Sequence, residues 1–129
     1  METRYAPRVR LDLKVLSRVS DEDGQKFLLS KGNTFEIEIA DISTLGVGII
    51  SRFFLPKGLR IELEIDGKPF GLDNSMKIKG EVRYCNYIKS SRYRCGIKFI
   101  DISSQYLNKI KDFIATYEKR EEPRLKLSE

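Results

Sequence analysis

Histidine and tryptophan are absent from this 129-residue chain, and cysteine occurs only twice. Without histidine there is no side chain whose ordinary pKa suits a proton shuttle near neutrality. With no histidine and no Cys-x-x-Cys pair there is no ligand set for a transition metal, so neither a metal nor a cofactor is expected. A nucleophile elbow and a phosphate-binding loop are missing too. The paired acids Glu36/Glu38 and Glu62/Glu64 alternate outward on strands, as a solvated sheet face does. An enzyme is therefore not expected, and a binding module is. No apolar run approaches the roughly 20 residues of a membrane-spanning helix, and the Arg-rich start lacks the apolar segment of a secretory signal. The expected location is the cytoplasm.

What the chain does have is charge. Lys and Arg number 24 against 19 Asp and Glu, a net charge of +5, with a pI near 9.2. That sign favours anionic partners. Arginine concentrates at the start, where Arg4, Arg8 and Arg10 fall within Arg4-Tyr5-Ala6-Pro7-Arg8-Val9-Arg10. Pro7 fixes its own φ and steers Ala6 away from the helical region, so this arm is expected to be extended. The planar guanidinium fork matches phosphate oxygens or the O6/N7 edge of guanine, which lysine cannot do.

The length fits one domain, and 40% apolar residues suffice for one core. Val9, Leu11, Leu13 and Val15 alternate with Arg10, Asp12 and Lys14, the period of a half-buried strand. Phe27-Leu28-Leu29, between two polar breaks, reads as a short strand or a loop plug. Phe35, Ile37 and Ile39 set a further strand that runs into Asp41, and Asp41-Ile42-Ser43-Thr44-Leu45-Gly46 then inserts short polar residues and a glycine before the apolar run Val47 to Leu55. Ile61, Leu63 and Ile65 mark another strand. Met76 to Tyr84 and Tyr93 to Ile100 mark two more, joined by a turn at Lys89-Ser90-Ser91.

No strand is followed by a helix-length crossover. The expected fold is all-β, six antiparallel strands closing into a barrel, followed by a helix over residues 103–118. Ser103 or Ser104 is its expected N-cap, and Leu107, Ile110, Ile114 and Tyr117, with Phe113 beside them, form its buried stripe. The domain is expected to span 1–118, with an arm at 1–9, and 119–129 to be a frayed charged tail. Cys85 and Cys95 flank the turn around Ser90, so a cross-strand meeting is conceivable, but strict alternation sets Cys85 on the polar side of its strand and Cys95 with Ile97 and Phe99 inward, so two unpaired thiols, buried or half-buried, are expected.

Arg4-Tyr5-Ala6-Pro7-Arg8 and Asp41-Ile42-Ser43-Thr44-Leu45-Gly46 together resemble the two signatures of the PilZ domain, R-x-x-x-R and D/N-x-S-x-x-G. Tyr93-Arg94-Cys95-Gly96-Ile97-Lys98-Phe99-Ile100-Asp101 is similar to that family's final strand. The resemblance covers roughly residues 2 to 117. It implies a six-stranded antiparallel barrel with a C-terminal helix and the role of a bacterial receptor for the second messenger cyclic di-GMP.

On that reading Arg4 and Arg8 serve the phosphates and the guanine acceptor edge, Asp41 accepts from guanine N1 and N2, and Ser43 adds a hydroxyl contact. Gly46 lets the turn form and leaves room for the ring. Adenine lacks the N1 and N2 donors and would leave Asp41 unpaired. Arg10 adds a phosphate contact or stands solvated, and Arg94 lines the barrel mouth or pairs with a neighbouring acid. Thr3 stands where many members carry another Arg, which favours one ligand per site.

The arm is expected to order on binding and so to control an effector protein. Motility, exopolysaccharide production and biofilm formation are the processes associated with the family. The rival readings are a PilZ-like scaffold without ligand and a small-barrel nucleic-acid binder. The outward acids Glu36, Glu38, Glu62 and Glu64 argue against the latter, since they repel a polyanion.

Overall fold

The structure, a computed structural model, describes residues 9–19 and 34–128. Arg4, Arg8 and the Phe27-Leu28-Leu29 piece lie outside the described residues. Alternating sequence becomes alternating burial. Among the described residues six strands form, β1 (Val9–Val19), β2 (Thr34–Ile42), β3 (Gly46–Ser51), β4 (Arg60–Ile65), β5 (Met76–Lys89) and β6 (Arg92–Asp101). They close into an antiparallel barrel in the order β1-β2-β3-β6-β5-β4, with β1 also pairing β4. Closure leaves no open sheet edge, the liability of any small sheet.

The barrel is filled by the inward set expected from the sequence. Ile37, Ile39 and Ile42 on β2 meet Val47 and Ile49 on β3, Ile61, Leu63 and Ile65 on β4, Met76, Ile78 and Val82 on β5, and Ile97 and Phe99 on β6. Glu62 and Glu64 lie opposite Lys79 and Lys77 in the β4–β5 register. The outward acids of β4 thus face cross-strand lysines, the pairing that stabilises a solvated sheet face. The β5–β6 hairpin turns on Ser90 and Ser91, both with positive φ (51° and 59°), as a two-residue primed turn requires.

The helix α1 runs Ser104–Ser128. Ser103 is its N-cap: its hydroxyl accepts the Tyr106 N–H at 3.2 Å and its carbonyl accepts the Leu107 N–H at 3.0 Å. Ile110 and Ile114 are buried, and Phe113 packs on Phe70 of a short 3-10 turn, Lys68–Phe70, with ring centroids 4.8 Å apart. The stretch expected as a tail from residue 119 is instead helical backbone to Ser128, although Pro123 contributes no N–H to it.

The main departure from strict alternation lies in β5. Val82 faces Ile97 and Tyr84 faces Gly96, so Arg83 is an extra residue with no partner of its own. A bulge of one residue exchanges the two faces beyond it. Tyr84 is turned outward and Cys85 inward, where it is the cross-strand partner of Cys95. Both thiols are free, one buried and one half-buried, as expected, but the cross-strand meeting that parity argued against does occur: Cys95 Sγ donates to Cys85 Sγ at 2.9 Å.

Two predictions follow from this packing. Ile110→Ala removes a fully buried side chain between helix and barrel and should lower unfolding free energy by about 2–5 kcal/mol, whereas the exposed Lys111→Ala should change it by less than about 0.5 kcal/mol; urea denaturation checks both. Burial, and then its bond to Cys85, raises the Cys95 thiol above the ordinary thiol range. Above about pH 8.5 the unfolded thiol therefore loses a proton that the folded one keeps, and stability falls as pH rises. In reductant, the unfolding free energy should drop between pH 7.5 and 9.5 more steeply than in Cys95→Ala, by up to about 1.4 kcal/mol per pH unit.

Candidate functional site

Asp41 follows a second bulge. Ile39 faces Ile49 and Asp41 faces Gly48, which makes Ala40 the extra residue of β2. Alternation from Ile37 and Ile39 would drive a carboxylate into the core, and the bulge turns it to the outer wall. In backbone register Asp41 also lies opposite Arg10 of β1. Gly48 lies opposite Gly96, and Gly96 opposite Tyr84. Arg10, Asp41, Gly48, Gly96 and Tyr84 therefore form one row across β1, β2, β3, β6 and β5, with two glycines at its centre. Because Val47, Ile49 and Ile97 point inward, this row faces out.

Arg94, two residues before Gly96, reaches into the row. Its Nη2 donates to Asp41 Oδ2 at 2.6 Å, with side-chain exposures of 37% for Arg94 and 14% for Asp41. The hydrogen bond and charge of Asp41 hold the guanidinium pKa above its ordinary value, partial burial opposes that shift, and the Tyr84 hydroxyl adds a smaller contribution in the same direction as Asp41. A charge-assisted bond of this length fixes the orientation of both groups. It spans the first glycine, since a Cβ on Gly48 would lie 2.7 Å from both Arg94 Nη2 and Asp41 Oδ1. Tyr84 covers the second, since a Cβ on Gly96 would lie 2.3 Å from its ring. Tyr84 is nevertheless 43% exposed. The glycines are the floor of a trough, and an acid, a guanidinium and a phenol are its cover.

The turn between β2 and β3 is held by Ser43. Its hydroxyl accepts the N–H groups of Leu45 at 3.1 Å and Gly46 at 3.3 Å and donates to the Gly46 carbonyl at 3.4 Å. The Ser43 N–H also donates to that carbonyl, at 2.9 Å. Ser43 is 1% exposed, and its hydroxyl serves the turn. The φ of Gly46 is not positive, but a Cβ there would lie 2.0 Å from the carbonyl oxygen of Ile97. Close approach of β3 to β6 therefore requires glycine at this position.

Of the residues expected at a site, the structure thus brings together Asp41, Arg94 and, in backbone register, Arg10, which is exposed. Ser43 and Gly46 support them from within the turn and the β3–β6 contact. Arg4 and Arg8 lie outside the described residues. Sequence reasoning did not include Tyr84, Gly48 or Gly96 in the site, because only the Arg83 bulge brings Tyr84 over the glycine row. A concavity of about 370 Å³ lies elsewhere, beside Phe70 and Phe113. Neither Asp41, Arg94, Tyr84 nor the two glycines line it. No group of three or more potential metal-ligating side chains occurs among the described residues.

The PilZ domain profile matches residues 2–116. The chain belongs to the PilZ domain family. No curated relative matches it at the sequence level, but solved structures share its fold. The Bacillus subtilis inhibitor of motility MotI/DgrA aligns with a TM-score of 0.65 at 13% identity, over 93% of this chain and 53% of that one. K. pneumonia MrkH, solved as a complex with c-di-GMP, aligns at 0.67 and 15% identity over 96% and 56%. The PilZ domain of Escherichia coli YcgR with c-di-GMP aligns at 0.59 and 15% identity over 97% and 98%. This PilZ chain thus spans about half the length of the MotI and MrkH chains and nearly all of the YcgR domain. No helix among the described residues is long and apolar enough to cross a membrane.

The glycines of this PilZ barrel separate two kinds of constraint. Gly46→Ala drives a methyl group into backbone that cannot yield and should destabilise the fold by about 3 kcal/mol or more, whereas Gly96→Ala displaces only the exposed end of Tyr84 and should cost about 1 kcal/mol. Thermal unfolding of the two variants beside the parent tests the contrast.

Proposed function

We propose that this chain binds cyclic di-GMP on the outer barrel wall at the Asp41 row, with Arg4 and Arg8 of the N-terminal arm completing the site. The observation that carries the reading is the Asp41–Arg94 pair above Gly48 and beside Gly96. An ionised, oriented carboxylate next to a floor without side chains suits the N1/N2 edge of a planar guanine. Arg94 holds the carboxylate in one orientation, and its guanidinium has five donors, more than this one bond uses. Arg94 can turn its remaining donors to a phosphate or to guanine O6/N7, and Tyr84 can move off Gly96 to stack on a base. Support comes also from the family and from the relatives solved with c-di-GMP.

Ser43 and Gly46 act here by holding the turn that presents Asp41. The domain comprises residues 1–118, with 1–9 as its arm. The arm closes over the wall on binding, and its ordering alters the surface offered to an effector protein in the cytoplasm, in a process such as motility, exopolysaccharide production or biofilm formation. No catalytic step belongs to this reading, and the messenger is a ligand rather than a cofactor.

Calorimetric titration with cyclic di-GMP, beside GTP and cyclic di-AMP, tests it. Saturable binding at one ligand per chain, selective for the guanine dinucleotide and weakened roughly 10- to 150-fold in Arg8→Ala and in Arg94→Ala, is the expected result. Absence of heat and of any thermal shift from the folded protein would leave the ligand-free scaffold reading instead.

A further inference from the structure

The bulge that exposes Tyr84 also sets the two cysteines of the chain face to face. Cys85 and Cys95 are register partners on neighbouring antiparallel strands. Such partners have Cα atoms about 4.5 or 5.5 Å apart, according to the type of pair, and both separations lie within the range a disulfide accepts. Their side chains are aimed at one another as well, with Sγ atoms 2.9 Å apart. The Leu55 N–H donates to Cys85 Sγ at 3.3 Å and holds that sulfur in place. The pair is asymmetric in access, because Cys95 is fully buried and Cys85 is half-buried.

We propose that Cys85 and Cys95 form a reversible dithiol–disulfide site in the barrel wall, oxidised by small hydroperoxides. Cys85, the half-buried member of the pair, attacks the peroxide oxygen; the O–O bond breaks, Cys85 becomes a sulfenic acid and the other oxygen leaves as water or alcohol. Cys95 then attacks the Cys85 sulfur, the S–O bond breaks, an S–S bond forms and a second water leaves. Two thiols lose two electrons to one peroxide, and a thiol reductant reverses the change. In a reducing compartment disulfides are uncommon and, where present, are usually transient or sensing. The site therefore responds to oxidant and is not a permanent staple.

Its position gives it a consequence. Cys85 adjoins Tyr84 and Cys95 adjoins Arg94 and Gly96, so the bond ties together the two strand segments that carry the trough cover. This geometry stands on the strands alone and does not require the nucleotide reading.

The full-length reduced protein would be treated with hydrogen peroxide, then denatured, and its thiols counted with a chromogenic disulfide and its mass measured. The expected result is loss of both thiols, a mass lower by two hydrogens, a monomer throughout, and recovery of both thiols on addition of dithiothreitol. In Cys95→Ser the reaction should stop at a sulfenic acid on Cys85 that dimedone traps, and in Cys85→Ser the buried Cys95 should remain unmodified in the folded state. Two thiols still titratable after treatment, a peroxide product that is a disulfide-linked dimer, or Cys95 reacting in Cys85→Ser as fast as Cys85 does in Cys95→Ser would overturn the proposal.

Discussion

Everything functional on this barrel depends on a constraint of strand geometry: side chains alternate between the two faces, and one extra residue exchanges the faces for all that follows. Ala40 in β2 and Arg83 in β5 are such residues. Without the first, Asp41 would continue the inward series of Ile37 and Ile39 and bury an acid among aliphatic side chains, at a cost a core this small could not offset. Without the second, Tyr84 would follow Val82 inward. The two bulges lie at one level of the wall, because β3 and β6 between them keep Gly48 and Gly96 in register. A site therefore assembles across four strands whose inner faces remain an ordinary aliphatic core.

The polar residues of the Asp41-to-Gly46 turn divide their labour by burial. Ser43, enclosed, satisfies backbone groups that a tight strand connection would leave without partners. Gly46, enclosed, brings β3 against β6. Asp41, at the edge of burial, remains for chemistry. Within this short motif of one acid, one hydroxyl and one glycine, the hydroxyl and the glycine build the frame on which the acid stands.

The barrel was legible in the sequence because its strands alternate cleanly, and the helix because Ile110, Phe113, Ile114 and Tyr117 keep the helical period. The helix end was less so: charge and Pro123 suggested a tail, whereas the backbone is helical to Ser128. Asp41 stood out by its motif and Arg94 by residue type, and the structure pairs them. The outward turn of Tyr84 was not legible, and parity argued against the meeting of the cysteines that their place about the Ser90 turn allowed, since alternation does not reveal a residue without a register partner and Arg83 is no different in kind from its charged neighbours. A Tyr-Cys step that follows a clean alternation and sits opposite an Arg-Cys-Gly strand was the available signal. It marks a place where parity and chemistry disagree, and such places are where a bulge is to be sought.

On the proposed reading, the pairing of Asp41 with Arg94 also answers a problem that any guanine-reading carboxylate faces. An acid held largely out of water and without a cation would tend to take up a proton, and a protonated acid no longer accepts from both N1 and N2. Arg94 favours the charged form at close range and prevents the side chain from turning away. Guanine N–H donors are neutral, so on the proposed reading their arrival would not require the arginine to leave. Adenine offers no such donors to that edge, and the same carboxylate, oriented and partly desolvated, would then be under-coordinated. On that reading selectivity would follow from holding the acid in position before the base arrives, and Gly48 and Gly96 would contribute by placing no side chain of their own beneath it.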